Sequence, residues 1–291
     1  MARRVLIDTD IGTDVDDLWT LAMLPSLSDV RLEAVTVVYG DTEIRARLAA
    51  GALRAMGVHA PVYRGCETAM SGKSVVWAGH EGVAIDELPA ATHETGHAVD
   101  VMIELAAANP GTLEIIAIGP LTNIATAIGR DASFAVNLRR LYVMGGEFRI
   151  GWPEHNFASD TTATEIVLGC GAPMTIVPLD QTLRVPVTSA DVDRIAESHP
   201  LGRLMAGEAR RFWKWLSGLR DGIPGDRSYP HDPLTLLALT EPSLFTCEPS
   251  AVTLEADGRT HRVADPTSPI DVVVDLEPEG SHRAFMRSLG C

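Results

Sequence analysis

Short apolar runs alternate with stretches of helical periodicity through the first two-thirds of the chain. The runs predict strands at residues 5–7, 32–38, 113–118, 138–143 and 174–177. The segments between them predict helices at 17–27, 42–56, 97–109, 121–129 and 161–168. Strands that alternate with helices are typical of βαβ units, which build a parallel sheet. We therefore expect a Rossmann-like α/β fold, in which helices flank a central, mostly parallel (mixed) β-sheet.

Two later regions depart from this alternation. Residues 66–96 show no sustained period, and a connection of this length is usually a functional loop or a lid. Residues 189–219 are helical in pattern and lead into a Gly/Pro-rich loop at 220–230. The last third predicts a helix near 232–239 and short strands near 251–254 and 270–274, which would extend the sheet. We find neither a repeat nor a linker, so we predict a single domain over residues 1–291.

Composition and charge narrow the class of protein. Hydrophobic residues make up 46% of the 291 positions and charged residues 22%, which is usual for a globular protein. No apolar stretch approaches the ~20 residues that span a bilayer, and the N-terminal residues lack a secretory apolar segment. A net charge of −15 disfavours nucleic acid and anionic membrane surfaces as partners. The four cysteines show no metal-binding spacing, so we expect reduced thiols and a cytoplasmic protein.

The segment DTDIGTDVDD, residues 8–17, places five carboxylates directly after the first predicted strand. Charges this close repel one another unless a cation or hydrogen-bond donors compensate them. Helix capping would account for one or two of the aspartates. Other polar strand ends follow at 37–41, 117–123, 143–147 and 177–180, and such ends meet at one edge of a parallel sheet. Oxygen ligands in this number suit Ca²⁺ or Mg²⁺ better than zinc.

Four further motifs occur in a fixed order after this segment: GPLTNIA at 119–125, MGG at 144–146, PEHN at 153–156 and HDP at 231–233. Together with DTDIGTDVDD, the set resembles the inosine–uridine-type nucleoside hydrolases and spans residues 5 to about 240. The resemblance implies the nucleoside hydrolase fold, a tightly bound Ca²⁺ and hydrolysis of the N-glycosidic bond of ribonucleosides to ribose and free base. It also implies a homodimer or homotetramer.

The same resemblance assigns roles residue by residue. Asp10 is the expected general base, acting on a calcium-bound water, and His231 is expected to protonate the departing base. The metal ligands implied are Asp10, Asp17, Asp232 and the backbone carbonyl of Thr122. The residues implied to contact the substrate are Asp16, Asp41, Glu154, Asn156 and Asp232.

The chain departs from the family pattern at two of these positions. Asp14 and Val15 are inserted before the Asp16–Asp17 pair, which leaves open whether Asp14 or Asp16 contacts the ribose. Asp41 stands where the family has asparagine, and an ionised carboxylate accepts hydrogen bonds but cannot donate them. The preferred nucleobase also stays open, because the loops at 66–96 and 213–230 resemble the family least. Four tryptophans are candidates for base stacking or for packing: Trp77, Trp152, Trp213 and Trp215.

Two other functions are compatible with parts of the sequence. A strand followed by DTD also resembles the haloacid-dehalogenase-type phosphotransferases, but Gly12 stands where their motif needs Thr or Val. A non-catalytic, calcium-dependent ribose or nucleoside binder of the same fold would need neither Asp10 as a base nor His231 as an acid. Turnover of a nucleoside distinguishes the enzyme from the binder.

Overall fold

The computed structural model describes residues 2–219 and 226–291, and a twisted mixed β-sheet forms its centre. The strands are β1 (Arg3–Thr9), β2 (Val30–Val37), β3 (Val62–Arg64), β4 (Leu113–Ala117), β5 (Leu138–Met144), β6 (Met174–Val177), β7 (Val187–Thr188), β8 (Arg227–Ser228), β9 (Phe245–Leu254), β10 (Thr260–Ala264) and β11 (Ile270–Leu276). The large sheet has the order β10-β9-β11-β6-β5-β4-β1-β2-β3, while β7 and β8 form a separate pair.

Helices cover both faces of this sheet. They are α1 (Asp16–Met23), α2 (Thr42–Ala55), α3 (Ala98–Ala108), α4 (Thr122–Arg130), α5 (Phe134–Asn137), α6 (His155–Ser159), α7 (Thr161–Leu168), α8 (Leu179–Thr182), α9 (Ser189–Ser198), α10 (Gly202–Leu219), α11 (His231–Thr240) and α12 (Pro278–Ser288). Short 3-10 turns lie at Leu24–Ser26, Val83–Glu87 and Pro242–Leu244. Among the described residues, none of the helices is both long and apolar enough to cross a membrane.

The predicted α/β fold with a central, mostly parallel sheet is confirmed. Strands β1 to β6 and β11 pair in parallel, whereas β9 and β10 join antiparallel at one end and make the sheet mixed. The predicted C-terminal strands at 251–254 and 270–274 do extend the sheet, as parts of β9 and β11. The region 66–96 contains only the 3-10 turn Val83–Glu87, and the predicted helical region 189–219 is two helices separated around Pro200.

Alternation along the strands explains the two-sided core. Val5 and Ile7 of β1 pack into the apolar cluster on one face of the sheet, and Leu6 between them packs into the cluster on the other face. Successive side chains of a strand point to opposite faces, so a run such as Val-Leu-Ile is buried on both sides. This is why the central strands read as continuous apolar runs in the sequence.

Strand order determines where a ligand site can form. β1 lies between β2 and β4, so the chain winds outward from β1 in one direction through β2 and β3 and in the other from β4 through β6. The loops that follow β1 and β4 therefore leave the sheet on opposite sides and open a crevice between them. Asp10 follows β1 and Ile118 follows β4, which places the acidic segment at this crevice.

Asn123 ties the loops at this edge together. Its Nδ2 donates to Asp8 Oδ1 at 2.8 Å and to the carbonyl of Val37 at 3.2 Å, and its Oδ1 accepts from the amide of Cys66 at 2.8 Å. The side chain is fully buried, so water cannot replace these three bonds. Asn123 thus joins the ends of β1 and β2 to the start of the 66–96 loop.

We expect Asn123→Ala to lower the free energy of unfolding by roughly 2–4 kcal/mol, since it leaves several buried polar groups without partners. Denaturant unfolding followed by circular dichroism measures this loss. Asn137→Ala, at the end of α5 near the surface, is the matched control and should change stability by about 0.5 kcal/mol or less. Equal stability of the two variants would contradict the role given to Asn123.

Candidate functional site

A cavity of about 290 Å³ opens at the crevice beside β1 and β4. Its floor is acidic, and its lining includes Asp10, Asp14, Asp16, Asp17 and Asp232. Residues of the two regions without regular strand–helix alternation, 66–96 and 189–219, contribute the opposite side. The cavity therefore combines the acidic segment of the sequence with its least regular parts.

Three of the carboxylates form a group that could hold a metal ion. One oxygen from each of Asp16, Asp17 and Asp232 lies within 4.8 Å of the others. Asp16 and Asp17 occupy the first turn of α1, and Asp232 occupies the first turn of α11, where the helix dipoles favour negative charge. The three side chains are at most 4% exposed. This donor set, made only of buried carboxylate oxygens, fits a hard divalent cation.

Burial and mutual repulsion disfavour the ionised forms of these groups. Burial raises the pKa of Asp16, Asp17 and Asp232 well above the usual value, and the charges of neighbouring carboxylates raise it further. Burial likewise raises the pKa of Asp14 to about 8, and that of Asp8 behind the cavity to about 7. A cation in the cavity would reverse this by stabilising the ionised carboxylates.

Polar contacts within the protein compensate the charge only in part. Thr9 donates its hydroxyl hydrogen to Asp17, and the charge of the buried Arg45 also lowers the pKa of Asp17. The Arg45 guanidinium itself donates to the carbonyls of Tyr39 and Ile11 at 2.6 and 2.9 Å. Arg45 therefore links the loops after β1 and β2 through hydrogen bonds to their carbonyls. Neutralising Asp16, Asp17 and Asp232 together would need a further cation.

Asp10 lies at the wall between β1 and β4. A Cβ atom added to Gly119 would lie 2.9 Å from the Asp10 amide nitrogen and 3.0 Å from its Oδ1, so only glycine permits this close approach. On the other side, His155 Nε2 lies 4.0 Å from Asp10 Oδ2. The backbone thus holds the Asp10 carboxylate at the cavity with little room to shift.

Glu154 and Asn156 line the same cavity and also organise its backbone. Both carboxylate oxygens of Glu154 accept amide hydrogens, from Gly146, Asn156 and Phe157 at 2.7 to 3.1 Å. Asn156 Nδ2 donates to the carbonyls of Ile118 and Met144 at 3.2 Å. Burial raises the pKa of Glu154 despite the amide bonds that work against this shift.

His231 begins α11 directly before Asp232 and lines the cavity. Its Nδ1 lies 2.5 Å from Thr182 Oγ1, and its ring lies 5.8 Å from that of Tyr229. Burial lowers the pKa of His231 to about 4, so the imidazole is uncharged at neutral pH in the free protein. An anionic group facing the ring would favour the charged form.

Aromatic side chains also line the cavity. Phe212 and Trp215 of α10 line it, with ring centroids 5.7 Å apart. His80 of the 66–96 loop lies 6.5 Å from Trp215 and contacts the carbonyl of Thr13 through Nε2 at 2.8 Å. Flat aromatic faces of this kind can pack against a heterocycle.

Two residues assigned to the site lie outside the cavity. Asp41 is exposed and caps α2 by accepting the Ile44 amide at 3.0 Å, which accounts for a polar residue at this position. Thr122 begins α4, and its carbonyl accepts the Thr126 hydroxyl at 2.7 Å. Ile118 is the residue of this segment that lines the cavity.

The candidate tryptophans separate into different environments. Trp215 lines the cavity, whereas Trp213 is buried and donates its indole N–H to Ser228 at 2.5 Å. Trp77 packs over the Arg45 guanidinium, and Trp152 is exposed. Part of the loop predicted at 220–230 lies outside the described residues.

Sequence reasoning missed Phe212 and Thr182. Phe212 has the spacing of an ordinary core residue of an amphipathic helix, and Thr182 lies in an unremarked turn after β6. Only tertiary packing brings Phe212 of α10 to the cavity and Thr182 of α8 to His231. No spacing signal in the sequence could have identified them.

Comparison with known proteins gives the family of the chain and its fold. The family model for inosine-uridine preferring nucleoside hydrolases matches residues 5–282. A probable uridine nucleosidase 1 of Oryza sativa subsp. japonica is 29% identical over 269 residues, which cover 88% of this chain and 82% of that protein. A solved plant nucleoside hydrolase superposes with a TM-score of 0.89 at 25% identity over the whole of both chains. A purine-preferring ribonucleoside hydrolase from Gardnerella vaginalis has a TM-score of 0.88 at 24% identity over 99% of this chain and 98% of its own, a likeness of fold.

The fold and the acidic cavity thus define an α/β enzyme with a group of carboxylates that could bind a metal. The chain belongs to the inosine-uridine preferring nucleoside hydrolase family, as the match over residues 5–282 shows. The family resemblance of the five motifs is therefore confirmed, and so is the prediction of an enzyme that hydrolyses nucleosides.

The raised pKa values predict how stability depends on pH when metal is absent. A carboxyl whose folded pKa exceeds its unfolded value of about 4 favours folding while it is protonated, and this contribution is lost as pH rises through the folded pKa. Because the pKa of Asp8 is about 7 and those of Asp16, Asp17 and Asp232 are also raised, we expect the melting temperature of chelated protein to fall between pH 5 and pH 8.

Differential scanning fluorimetry with a chelator, repeated after addition of Ca²⁺, measures this dependence. Calcium should restore stability most at pH 8, where the carboxylates are ionised. In chelated protein, Asp8→Asn should flatten the curve near pH 7, since it removes one titrating group. A melting temperature that rises with pH in the chelator would show that the cluster does not titrate as described.

Proposed function

We propose that this chain is a calcium-dependent ribonucleoside N-ribohydrolase in which Asp10 activates water and His231 protonates the leaving base. The observation that carries the proposal is one cavity in which buried carboxylates face a histidine and an aromatic wall. A cavity of about 290 Å³ is near the lower end of the range of about 300–1,000 Å³ for small-ligand sites. Its acidic and aromatic ends match a polar sugar and a flat base.

The residues that would hold the ion are Asp16, Asp17 and Asp232, with Asp10 beside them. Their oxygens are the hard donors that Ca²⁺ prefers, and their mutual repulsion favours occupancy by a cation. When bound, the ion supplies positive charge that orients water and the sugar diol and lowers the pKa of that water. The carbonyl of Ile118, which follows β4 and lines the cavity, is a second candidate main-chain ligand beside that of Thr122.

Asp10 suits the role of base because its carboxylate is held in place by the glycine contact. It would accept a proton from the attacking water, while the remaining carboxylates stabilise the positive charge that develops on the ribose ring. Asp16, Asp232 and Asn156 are the proposed ribose contacts, and Glu154 fixes the backbone around Asn156. Asp14 also lines the cavity, and mutation of Asp14 and of Asp16 would distinguish which of them contacts the ribose.

His231 suits the role of acid because it lines the same cavity as the carboxylates and the aromatic side chains. Its imidazole is uncharged in the free protein, so protonation would accompany the negative charge that develops on the departing base. Phe212 and Trp215 would pack against that base. Among the described residues that line the cavity there is no lysine or arginine, which argues against the phosphotransferase alternative.

Ribose release measured by a reducing-sugar assay tests the proposal. The panel is uridine first, given the similarity to a uridine nucleosidase, then inosine, adenosine, guanosine and cytidine. Activity should be lost on chelation and return with Ca²⁺. Stoichiometric calcium binding without turnover of any nucleoside would support the non-catalytic binder instead. Light scattering of the same sample tests the expected homodimer or homotetramer.

Asp10→Asn should lower kcat by about 100-fold or more, the usual contribution of a general base, without lowering the melting temperature. The amide keeps the shape of the carboxylate but cannot accept the proton. Steady-state kinetics on the best nucleoside measures the loss. Asp257→Asn, in the exposed turn between β9 and β10, is the matched control and should retain activity. Normal kcat in Asp10→Asn would exclude Asp10 as the base.

A further inference from the structure

The fold gives His231 a hydrogen-bond partner that lies 49 residues earlier in the chain. Thr182 Oγ1 is 2.5 Å from His231 Nδ1. Thr182 is fully buried and ends α8, the single turn that follows β6. The turn that follows β6 therefore contacts a cavity-lining residue, His231, through this hydroxyl.

Counting protons assigns a direction to the contact. Thr182 Oγ1 also lies 3.1 Å from the carbonyl oxygen of Leu179, which has no proton of its own. If the hydroxyl donates to that carbonyl, His231 must donate its Nδ1 hydrogen to Oγ1, and both contacts are hydrogen bonds. If the hydroxyl donated to His231 instead, two oxygen atoms would face each other at 3.1 Å without a hydrogen between them. The first arrangement satisfies more of the polar atoms.

We propose that Thr182 is a positioning residue that keeps a proton on His231 Nδ1 and so makes Nε2 the nitrogen that meets the nucleobase. The inference rests on the proposed function of His231 as the acid. In that step the neutral ring first takes up a proton from solvent at Nε2. This proton then passes from Nε2 of the imidazolium to the leaving nitrogen, while the C–N bond breaks and its electron pair goes to the base. The ring is left neutral with its hydrogen on Nδ1, the tautomer that Thr182 accepts.

The contact also restrains the orientation of the ring. The Nδ1–H bond holds one edge of the imidazole, and Tyr229 lies 5.8 Å away with its ring inclined at 34°. A ring held in this way presents Nε2 in one direction, which is what proton transfer to a bound base requires. Without the hydroxyl, the ring could rotate or take the other tautomer.

The test compares Thr182→Val, which removes the hydroxyl at nearly constant volume, with Thr182→Ser, which keeps it, in the full-length protein with Ca²⁺. Kinetics on a nucleoside and on 4-nitrophenyl riboside separate the roles, since nitrophenolate leaves without a proton. Thr182→Val should lose about tenfold or more in kcat on the nucleoside and less than about threefold on the aryl riboside. Thr182→Ser should restore both. Thr164→Val, a buried threonine of α7 whose hydroxyl bonds only backbone carbonyls, is the control for loss of a hydroxyl.

Ring-nitrogen NMR of histidine-labelled protein gives a readout independent of turnover, with His231→Gln used to assign the signals. We expect a protonated Nδ1 and an unprotonated Nε2 in the neutral wild-type ring, and a mixture of tautomers in Thr182→Val. A wild-type ring protonated at Nε2, or equal kinetic losses on both substrates, would overturn the inference. Full nucleoside activity in His231→Gln would instead overturn the proposed acid role, while the NMR result would still decide the tautomer.

Discussion

Repulsion among buried carboxylates is the constraint on which the rest of this structure depends. Asp16, Asp17 and Asp232 come from two helices far apart in the chain, yet their oxygens lie within 4.8 Å of one another. Packing of α1 against α11 produces this meeting, and both helices bury their first turns. Burial and the neighbouring carboxylates disfavour the ionised forms of these groups, and a cation would reverse that preference. The cluster could therefore bind a metal ion.

Buried polar side chains around the carboxylates hydrogen-bond to the loops that carry them and restrain those loops. Asn123 joins two strand ends to the following loop, and the buried Arg45 braces two of the loops through their carbonyls. Glu154 likewise restrains backbone beside the cavity, because its carboxylate accepts hydrogen bonds from three backbone amides. Because each of these side chains is buried, its bonds do not compete with water. The site is thus rigid where charge is concentrated.

The part of the cavity lining that comes from α10 and the long loop has a different construction. Phe212 and Trp215 come from one face of α10, and Val76 comes from the loop before α3. These side chains are aromatic or apolar, whereas the strand-end segment and the start of α11 contribute carboxylates. The cavity thus offers both a charged and an apolar lining.

The sequence by itself determined the alternation of strands and helices, the edge of the sheet at which the acidic segment would lie, and the family. Apolar runs and ordered motifs are local signals, and the five aspartates after β1 are contiguous enough to be recognised from the sequence alone. Only the tertiary structure decided which oxygen atoms meet. It showed that Asp41 caps α2 and that the Thr122 carbonyl accepts a hydroxyl within α4, and neither residue is among those that line the cavity. It also brought Thr182 to His231, a contact that depends on how α8 and α11 pack and has no signature in spacing. Distances between atoms of separate elements depend on how those elements pack, and that packing depends on residues spread over the whole chain rather than on any one segment.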